Sequence, residues 1–481
     1  MSIKPRNPWL ILVLLAMAQF IVVLDTSIVN VALPAIQQSL HFSNTSLQWV
    51  VTAYTLAVGG FLLLGGRAAD LYGRRKMFLA GLALFTLTSL ADGLAQNSGM
   101  LIAFRGLQGL AGAFMTPAAL SIVLVTFKEG AERNKALAIW GAVASGGAAA
   151  GVLLGGILTE YLNWRWNFFV NVPVGLIIWA MAYKMLPLHE SEARDNNLDL
   201  PGALSITSSL MLLVYGLTEA PAHGWLSATT IGYLAASVVL ATFFVWNEKR
   251  AKHPLVDLSI FKIRNVTGAN LLQIMISASM FSVFFFTSLY IQTILGYSPV
   301  KTGLSFLAIP IVIGAAATNA PKLIAKIGYK RVLTVAPLLV AASLVLLAQL
   351  PVDGNYWTNI LPAFILMGVG MGFTFVSATI AGTSGVPPTQ TGLASGVFNT
   401  SQQIGGALGL AILSGIVASA ITNKMPQVAQ GAMTATEATL HGYHIGFYVA
   451  VSFAVLAAII AATVLKHSKG GADPSAAVAM H

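Results

Sequence analysis

GGRAADLYGRRK, residues 65–76, joins two apolar segments through a very short turn and ends on three consecutive cations, Arg74, Arg75 and Lys76. A weaker copy, PKLIAKIGYKR, occupies residues 321–331 at an offset of 255. Arg67 and Lys322, the central glycines Gly73 and Gly328, and the closing basic clusters coincide between the two. A chain built as two similar halves side by side is a transporter plan, with the substrate site at the interface of the halves. Glycines permit tight geometry and close helix approach. Asp70 stands before the cations and can pair with one of them or with a helix end, then break that pairing when the halves rock. Gly66, Asp70, Gly73, Arg74 and Arg75 are therefore candidates for a conformational switch. The plainer alternative is a basic loop that only sets topology.

Working outward from this turn, the chain divides into fourteen apolar segments, near residues 9–33, 48–69, 77–95, 100–125, 137–159, 166–187, 199–219, 227–247, 266–291, 302–324, 331–350, 358–384, 391–421 and 442–466. A bilayer core about 30 Å thick needs about 20 helical residues. Each segment must be helical, because open strands leave backbone groups unpaired in lipid. Segments three, eleven and fourteen read as plain lipid-facing helices. Segments one, four, five, nine, twelve and thirteen carry polar or glycine-rich patterns and are expected to face an interior. The first is read as a retained span and not a cleaved signal: no small-residue cleavage site follows, and the run continues through Asp25 to Pro34, which is expected to end it.

Charge fixes the orientation. Of the 26 Lys and Arg, 22 fall in or beside the loops of one face; Arg165, Lys301 and Lys424 fall on the other and Arg105 lies inside a span. Retained loop cations mark the cytoplasm, so both termini are expected there, in a multi-pass protein of the cell membrane. The excess of basic residues calls for no nucleic acid; cytoplasmic cations favour anionic lipid heads. Only 9% of residues are charged and 56% are hydrophobic, against about 25% charged in soluble domains. Nearly all the length is used in crossings, which leaves no room for a soluble catalytic domain. The absence of cysteine excludes disulfides, thiolate metal sites and Cys nucleophiles. There is no GxxxxGK[ST] loop and no His–Glu metal motif, so neither ATP hydrolysis nor a metal or other cofactor is expected. The eight His residues sit in loops or near segment ends and read as solvated.

Two polar stretches, residues 189–199 and 247–265, bracket segments seven and eight. The expected organisation is a six-helix bundle over 1–188, cytoplasmic linkers with two inserted helices over 189–265, a second six-helix bundle over 266–467, and a disordered Gly- and Ala-rich tail over 468–481.

At this point the sequence resembles a family. GGRAADLYGRRK is similar to the signature loop of the major facilitator superfamily. LDTSIVNVALPAI (24–36), RGLQGLAGAFMTPA (105–118), WRWNFFVNVPVG (164–175) and HPLVDLSIF (253–261) resemble its fourteen-helix branch of drug–proton antiporters. The resemblance covers almost the whole chain. It implies alternating access through a central cavity, with proton entry driving export of a small molecule. A monomer is expected.

Asp25 reads as the only acid well inside a span; Asp92 and Glu219 lie near segment ends. Acids within spans are rare and usually functional. Burial disfavours a carboxylate, which suits a group that loads and releases a proton; a structural acid held permanently by a partner is the alternative. Arg105, the other charge within a span, has Gln108 at i+3 on its face, so Arg105, Gln108 and Asp25 can form one network. The resemblance assigns the arginine to proton relay; simple neutralisation of Asp25 is the alternative. Asn30 completes the first motif and is placed in the same network. With one such acid, neutral, zwitterionic or delocalised monocationic substrates are expected over dications.

Gly147, Gly151 and Gly155 recur at four-residue intervals, followed by Gly156, and give segment five a smooth face for close packing. The pattern resembles the antiporter motif of the superfamily, with Val152 where a proline usually follows Gly151. Segment nine is rich in Phe and Met, a surface that suits varied apolar ligands. Phe281, Phe285, Phe286 and Tyr290 there, with Asn399, Gln402 and Gln403 in segment thirteen, are the candidates for the substrate cavity; Phe286 matches Asp25 in rough register between the halves. A dedicated exporter of one metabolite or lipid is the first alternative function. A non-transporting membrane receptor and a membrane-embedded enzyme are more remote ones.

Overall fold

The computed structural model describes residues 7–43, 45–127, 130–186, 198–387 and 390–466. The tail 468–481 and most of the polar stretch 189–199 lie outside the described residues. Thirteen described helices are long and apolar enough to cross a membrane. A further helix, Arg74–Gly93, is diluted by its basic start and its Thr, Ser and Asp side chains, and brings the crossings to fourteen.

Helices α1 (Pro8–Leu40), α2 (Trp49–Tyr72), α3 (Arg74–Gly93), α4 (Ser98–Thr126), α5 (Ala131–Tyr161), the single turn α6 (Trp166–Phe169) and α7 (Asn171–Met185) pack on one another as one group. A second group is formed by α10 (Arg264–Leu289), α11 (Pro299–Phe306), α12 (Ala308–Ile327), α13 (Tyr329–Leu347), α14 (Leu361–Thr383), α15 (Thr391–Ala429) and α16 (Ala435–Thr463). Between them in the chain, α8 (Leu200–His223) and α9 (Ala228–Glu248) form a hairpin. Asn247 on α9 ties it by donating to both carboxylate oxygens of Asp199 at 2.8 Å. The hairpin leans on the molecule through α8, which touches α2 and α15, where Gln48 donates to Thr218 at 2.8 Å.

Local sequence sets the helix ends. Side chains of Asn97, Ser227 and Ser298 accept from backbone N–H groups of the first turns of α4, α9 and α11, and Thr434 with Glu437 forms a reciprocal cap at α16. The two related turns share one backbone conformation: Gly73 has φ 97° and ψ 126°, Gly328 φ 82° and ψ 148°. A side chain is disfavoured at such φ values, so glycine stands at both places.

Pro34 does not end the first span; α1 continues to Leu40. A proline removes the N–H that would serve the carbonyl four residues earlier. Here the carbonyl of Asn30 accepts instead from Ser288 at 2.7 Å, and that of Val31 from Gln292 at 3.0 Å. Both donors belong to the other group of helices, so the freed backbone becomes a junction between the halves.

Candidate functional site

α1 packs more extensively on α5 than on any other helix. That approach depends on glycine: a Cβ at Gly155 would stand 2.7 Å from the Ile28 carbonyl, and one at Gly147 3.0 Å from that of Phe20. Gly151 faces Leu24 and Ser27 in the same way. Gly156 turns from this stripe and packs across the halves against Pro299 and Val300. Val152 is buried, and α5 runs unbroken past it.

With α1 held there, Asp25 points away from α5 into the group of α3, α4 and α7. It is fully buried, as are Arg105 and Gln108. Arg105 Nη1 meets Asp25 Oδ2 at 2.6 Å and also donates to Gln108 Oε1; its Nε donates to the Val50 carbonyl at 3.0 Å. Gln108 Nε2 donates to Asp25 Oδ1 at 3.0 Å. The guanidinium lies 4.4 Å from the centre of the Tyr54 ring, a cation–π contact. Arg105, Gln108 and Asp25 thus stand together as one hydrogen-bonded cluster.

Two members were not singled out from the sequence. Asn171, at the start of α7, donates to Asp25 Oδ1 at 2.9 Å and to Ser89 Oγ at 3.1 Å, and Ser89 in turn donates to the Phe168 carbonyl at 2.9 Å. The signal for Asn171 was its amide inside an apolar run. Ser89 carries no such signal, because Ser in a membrane helix usually bonds its own backbone. Segment three is therefore not plain lipid-facing helix. It also supplies Asp92, which is fully buried. That removes the premise of a single acid within the spans and, with it, the basis for excluding dications.

Asn30 does not join the cluster: its Nδ2 bonds the Thr26 carbonyl of its own helix at 3.1 Å. It faces a cavity of about 1680 Å³ between the two groups of helices. Thr26 and Tyr54 line that cavity, so the Asp25 cluster sits directly behind its wall and closed off from it. Phe281, Asn399, Gln402 and Gln403 line it, together with Met280 and Phe284. Phe285, Phe286 and Tyr290 do not. Phe286 packs at 5.7 Å on Tyr443 and 6.4 Å on Phe447, and Tyr290 donates to the Pro351 carbonyl at 2.6 Å. Adjacent residues on a helix point in different directions, and an all-apolar segment gives no sign of which side faces a neighbour.

The cavity reaches the end of the molecule that carries the basic loops, where Gly66, Arg67, Asp70, Arg133 and Asp257 line it. Asp257 is held below the usual carboxylate range by the Ser259 side chain and backbone N–H, at the start of a short turn. At the opposite end the halves are shut by the Ser288 and Gln292 bonds, by Gly156 against Pro299, and by Glu160 accepting from the Val300 N–H at 2.8 Å. In the signature turn, Arg74 pairs with Asp70 at 3.5 Å in the open, a contact of little energy. Arg75 instead donates to the Tyr183 carbonyl at the end of α7 and covers the Tyr183 ring. Gly65, not Gly66, makes the close helix approach, against the Ala113 backbone. Of the histidines, His444 is half-buried and meets the Leu350 carbonyl at 2.8 Å.

Comparison with known proteins agrees with this architecture. A solved peptide transporter, the POT family member PepTSo, superposes with a TM-score of 0.70 at 17% identity, covering 95% of this chain and 98% of the other. A bacterial Spinster homologue described as inward-facing and unoccupied gives 0.66 at 16% identity, over 96% and 98% of the two chains. Sequence relatives are nearer. The puromycin resistance protein pur8 of Streptomyces alboniger is 39% identical over 98% of this chain and 93% of its own. The cephamycin export protein CmcT of Amycolatopsis lactamdurans is 40% identical over 87% of each. The multidrug resistance protein Stp of Mycobacterium tuberculosis (strain CDC 1551 / Oshkosh) is 32% identical over 86% and 76%. The profile of the Major Facilitator Superfamily matches residues 15–410, and the chain belongs to that superfamily.

Proposed function

We propose that the chain is a proton-coupled exporter that moves small lipophilic compounds out of the cell by alternating access. The observation that carries this reading is the buried Arg105–Asp25 pair directly behind the cavity wall. A proton on Asp25 cancels the ion pair and leaves Arg105 and the amides of Gln108 and Asn171 to find other partners. Asp25 sits on α1, which packs on α5 and touches α10 and α11 across the halves. The protonation of one carboxyl therefore acts on a helix that touches the other half and packs on α5, which with α2 forms the larger seams against α11 and α15. The cavity suits an apolar guest: Val22, Val23, Met280, Phe281 and Phe284 supply surface, while Asn30, Asn399, Gln402 and Gln403 supply a few orienting polar groups.

We read the end with the basic loops, and with it both termini, as the cytoplasmic side of a cell-membrane protein. The functional unit is one chain in anionic lipid, organised as two bundles with α8 and α9 inserted between them. A charge crossing 100 mV is worth about 2.3 kcal/mol. One proton moving down roughly 150 mV supplies about 3.5 kcal/mol, enough for a gradient of a few hundredfold at about 1.4 kcal/mol per decade. One proton per cycle is thus sufficient for useful export of a neutral compound.

Proteoliposomes with an imposed pH gradient test the reading. The gradient is expected to drive accumulation of several lipophilic antibiotics, and a protonophore to abolish it; transport indifferent to both contradicts proton coupling. A second reading, an exporter dedicated to one compound, draws on relatives named for a single antibiotic each. A panel in which one compound alone responds selects it.

A further inference from the structure

Asp92 is the second-last residue of α3, at the end away from the basic loops. It is fully buried, and among the described residues neither carboxyl oxygen has a hydrogen-bond partner. The contrast with Asp25, which receives three donors, is complete. A buried carboxylate without donors or a paired cation is costly, whereas the neutral acid has only one polar hydrogen to place. Asp92 is therefore the acid whose surroundings suit a proton in this conformation, while Asp25 is met by Arg105 and two amides. Ser89, one turn earlier on α3, touches Asn171, and Asn171 touches Asp25, so the two acids flank one polar seam through α3 and α7. Three charged groups bear on Asp92 from the elements packed around α3. Arg105 on α4 and Asp25 on α1 act through their charges. Arg165, before α6, donates to the Gly93 carbonyl at 3.1 Å and to that of Ala95, closing the end of α3.

We propose that Asp92 is a second proton-binding site of the transport cycle, taking up the proton at the end opposite the basic loops and holding it before it passes to Asp25. In that transfer the O–H bond on Asp92 breaks and one forms on an Asp25 oxygen. Asp92 is left as a carboxylate, and Arg105, released by Asp25, offsets its charge. The buried charge stays balanced throughout, one guanidinium against one carboxylate, while the proton moves toward the cavity wall. The inference rests on the proton-coupled reading above.

The test compares the parent and Asp92→Asn in proteoliposomes, measuring substrate-coupled proton flux against substrate-for-substrate exchange. Asn keeps the size of the acid but cannot carry the proton. Proton flux is expected to fall more than tenfold relative to exchange, and Asp92→Glu to recover part of it. Equal flux in parent and Asp92→Asn overturns the proposal, as does a parallel loss of flux and exchange, which marks a structural residue. A parent without proton flux defeats the proton-coupled reading itself, a separate outcome. Should Asp92→Asn not fold, labelling of the parent by a hydrophobic carbodiimide, which attacks protonated buried carboxyls, gives the answer by peptide mass spectrometry. Label at Asp92 that declines as pH rises is expected; none at any pH rejects a protonated Asp92.

Discussion

Arg105 donates from Nη1 to Asp25 and Gln108 and from Nε to the Val50 carbonyl, and lies over the Tyr54 ring. A lysine offers a compact charge that cannot reproduce this fork or its stacking. Arg105→Lys is expected to fold and to lose at least tenfold in gradient-driven efflux, as read in vesicles. Arg105→Ala leaves Asp25 buried and unpaired. Breaking such a pair costs about 3–5 kcal/mol. A lower melting midpoint in detergent is expected, partly restored when Asp25→Asn is added. No restoration in the double variant contradicts the idea that the pair acts as a unit. The residues of this cluster were partly legible. Charges within spans announce themselves, so Asp25, Arg105 and Gln108 stood out. Asp92 did not, because its distance from a segment end says nothing of how neighbouring helices cover it.

At the scale of elements, α1 and α5 make contact because three glycines leave α5 smooth where α1 crosses it. Overpacking a fitted interface costs about 1–3 kcal/mol. Gly155→Val, which meets the Ile28 backbone, is expected to lower the melting midpoint and suppress transport. Gly146→Val, with open space beside it, is expected to do neither. Equal effects from the two contradict the packing account. The existence of the spans was legible from length and hydropathy alone, since lipid permits little but helices. Their rotation was not. Composition alone puts Phe285, Phe286 and Tyr290 in the cavity, yet helix α10 turns Phe281 and Phe284 toward it and Phe285 and Phe286 away, and Tyr290, just past its end, bonds Pro351. Pro34 misled for a related reason: the Ser288 and Gln292 donors that satisfy the freed carbonyls come from the distant half of the sequence.

The whole molecule is shut at one end and open at the other. The turns related by the offset of 255 both carry a glycine at positive φ, Gly73 and Gly328. Which face is open was not legible, because a rocking motion uses the same residues in both postures. If the halves part at the Asn30–Ser288 junction during export, fixing it stops the cycle. The chain has no cysteine, so a pair introduced as Asn30→Cys with Ser288→Cys has no competing thiol. Oxidation is expected to abolish efflux and a reductant to restore it, with each single variant unaffected by oxidant. Transport that survives a confirmed cross-link contradicts opening at that end.

The central claim is that one proton on Asp25 couples the two faces, and its most direct measurement is substrate-induced proton flux in proteoliposomes holding the parent or Asp25→Asn. The account expects robust flux in the parent and less than a tenth of it in the variant, with substrate still bound. Undiminished flux in Asp25→Asn contradicts it.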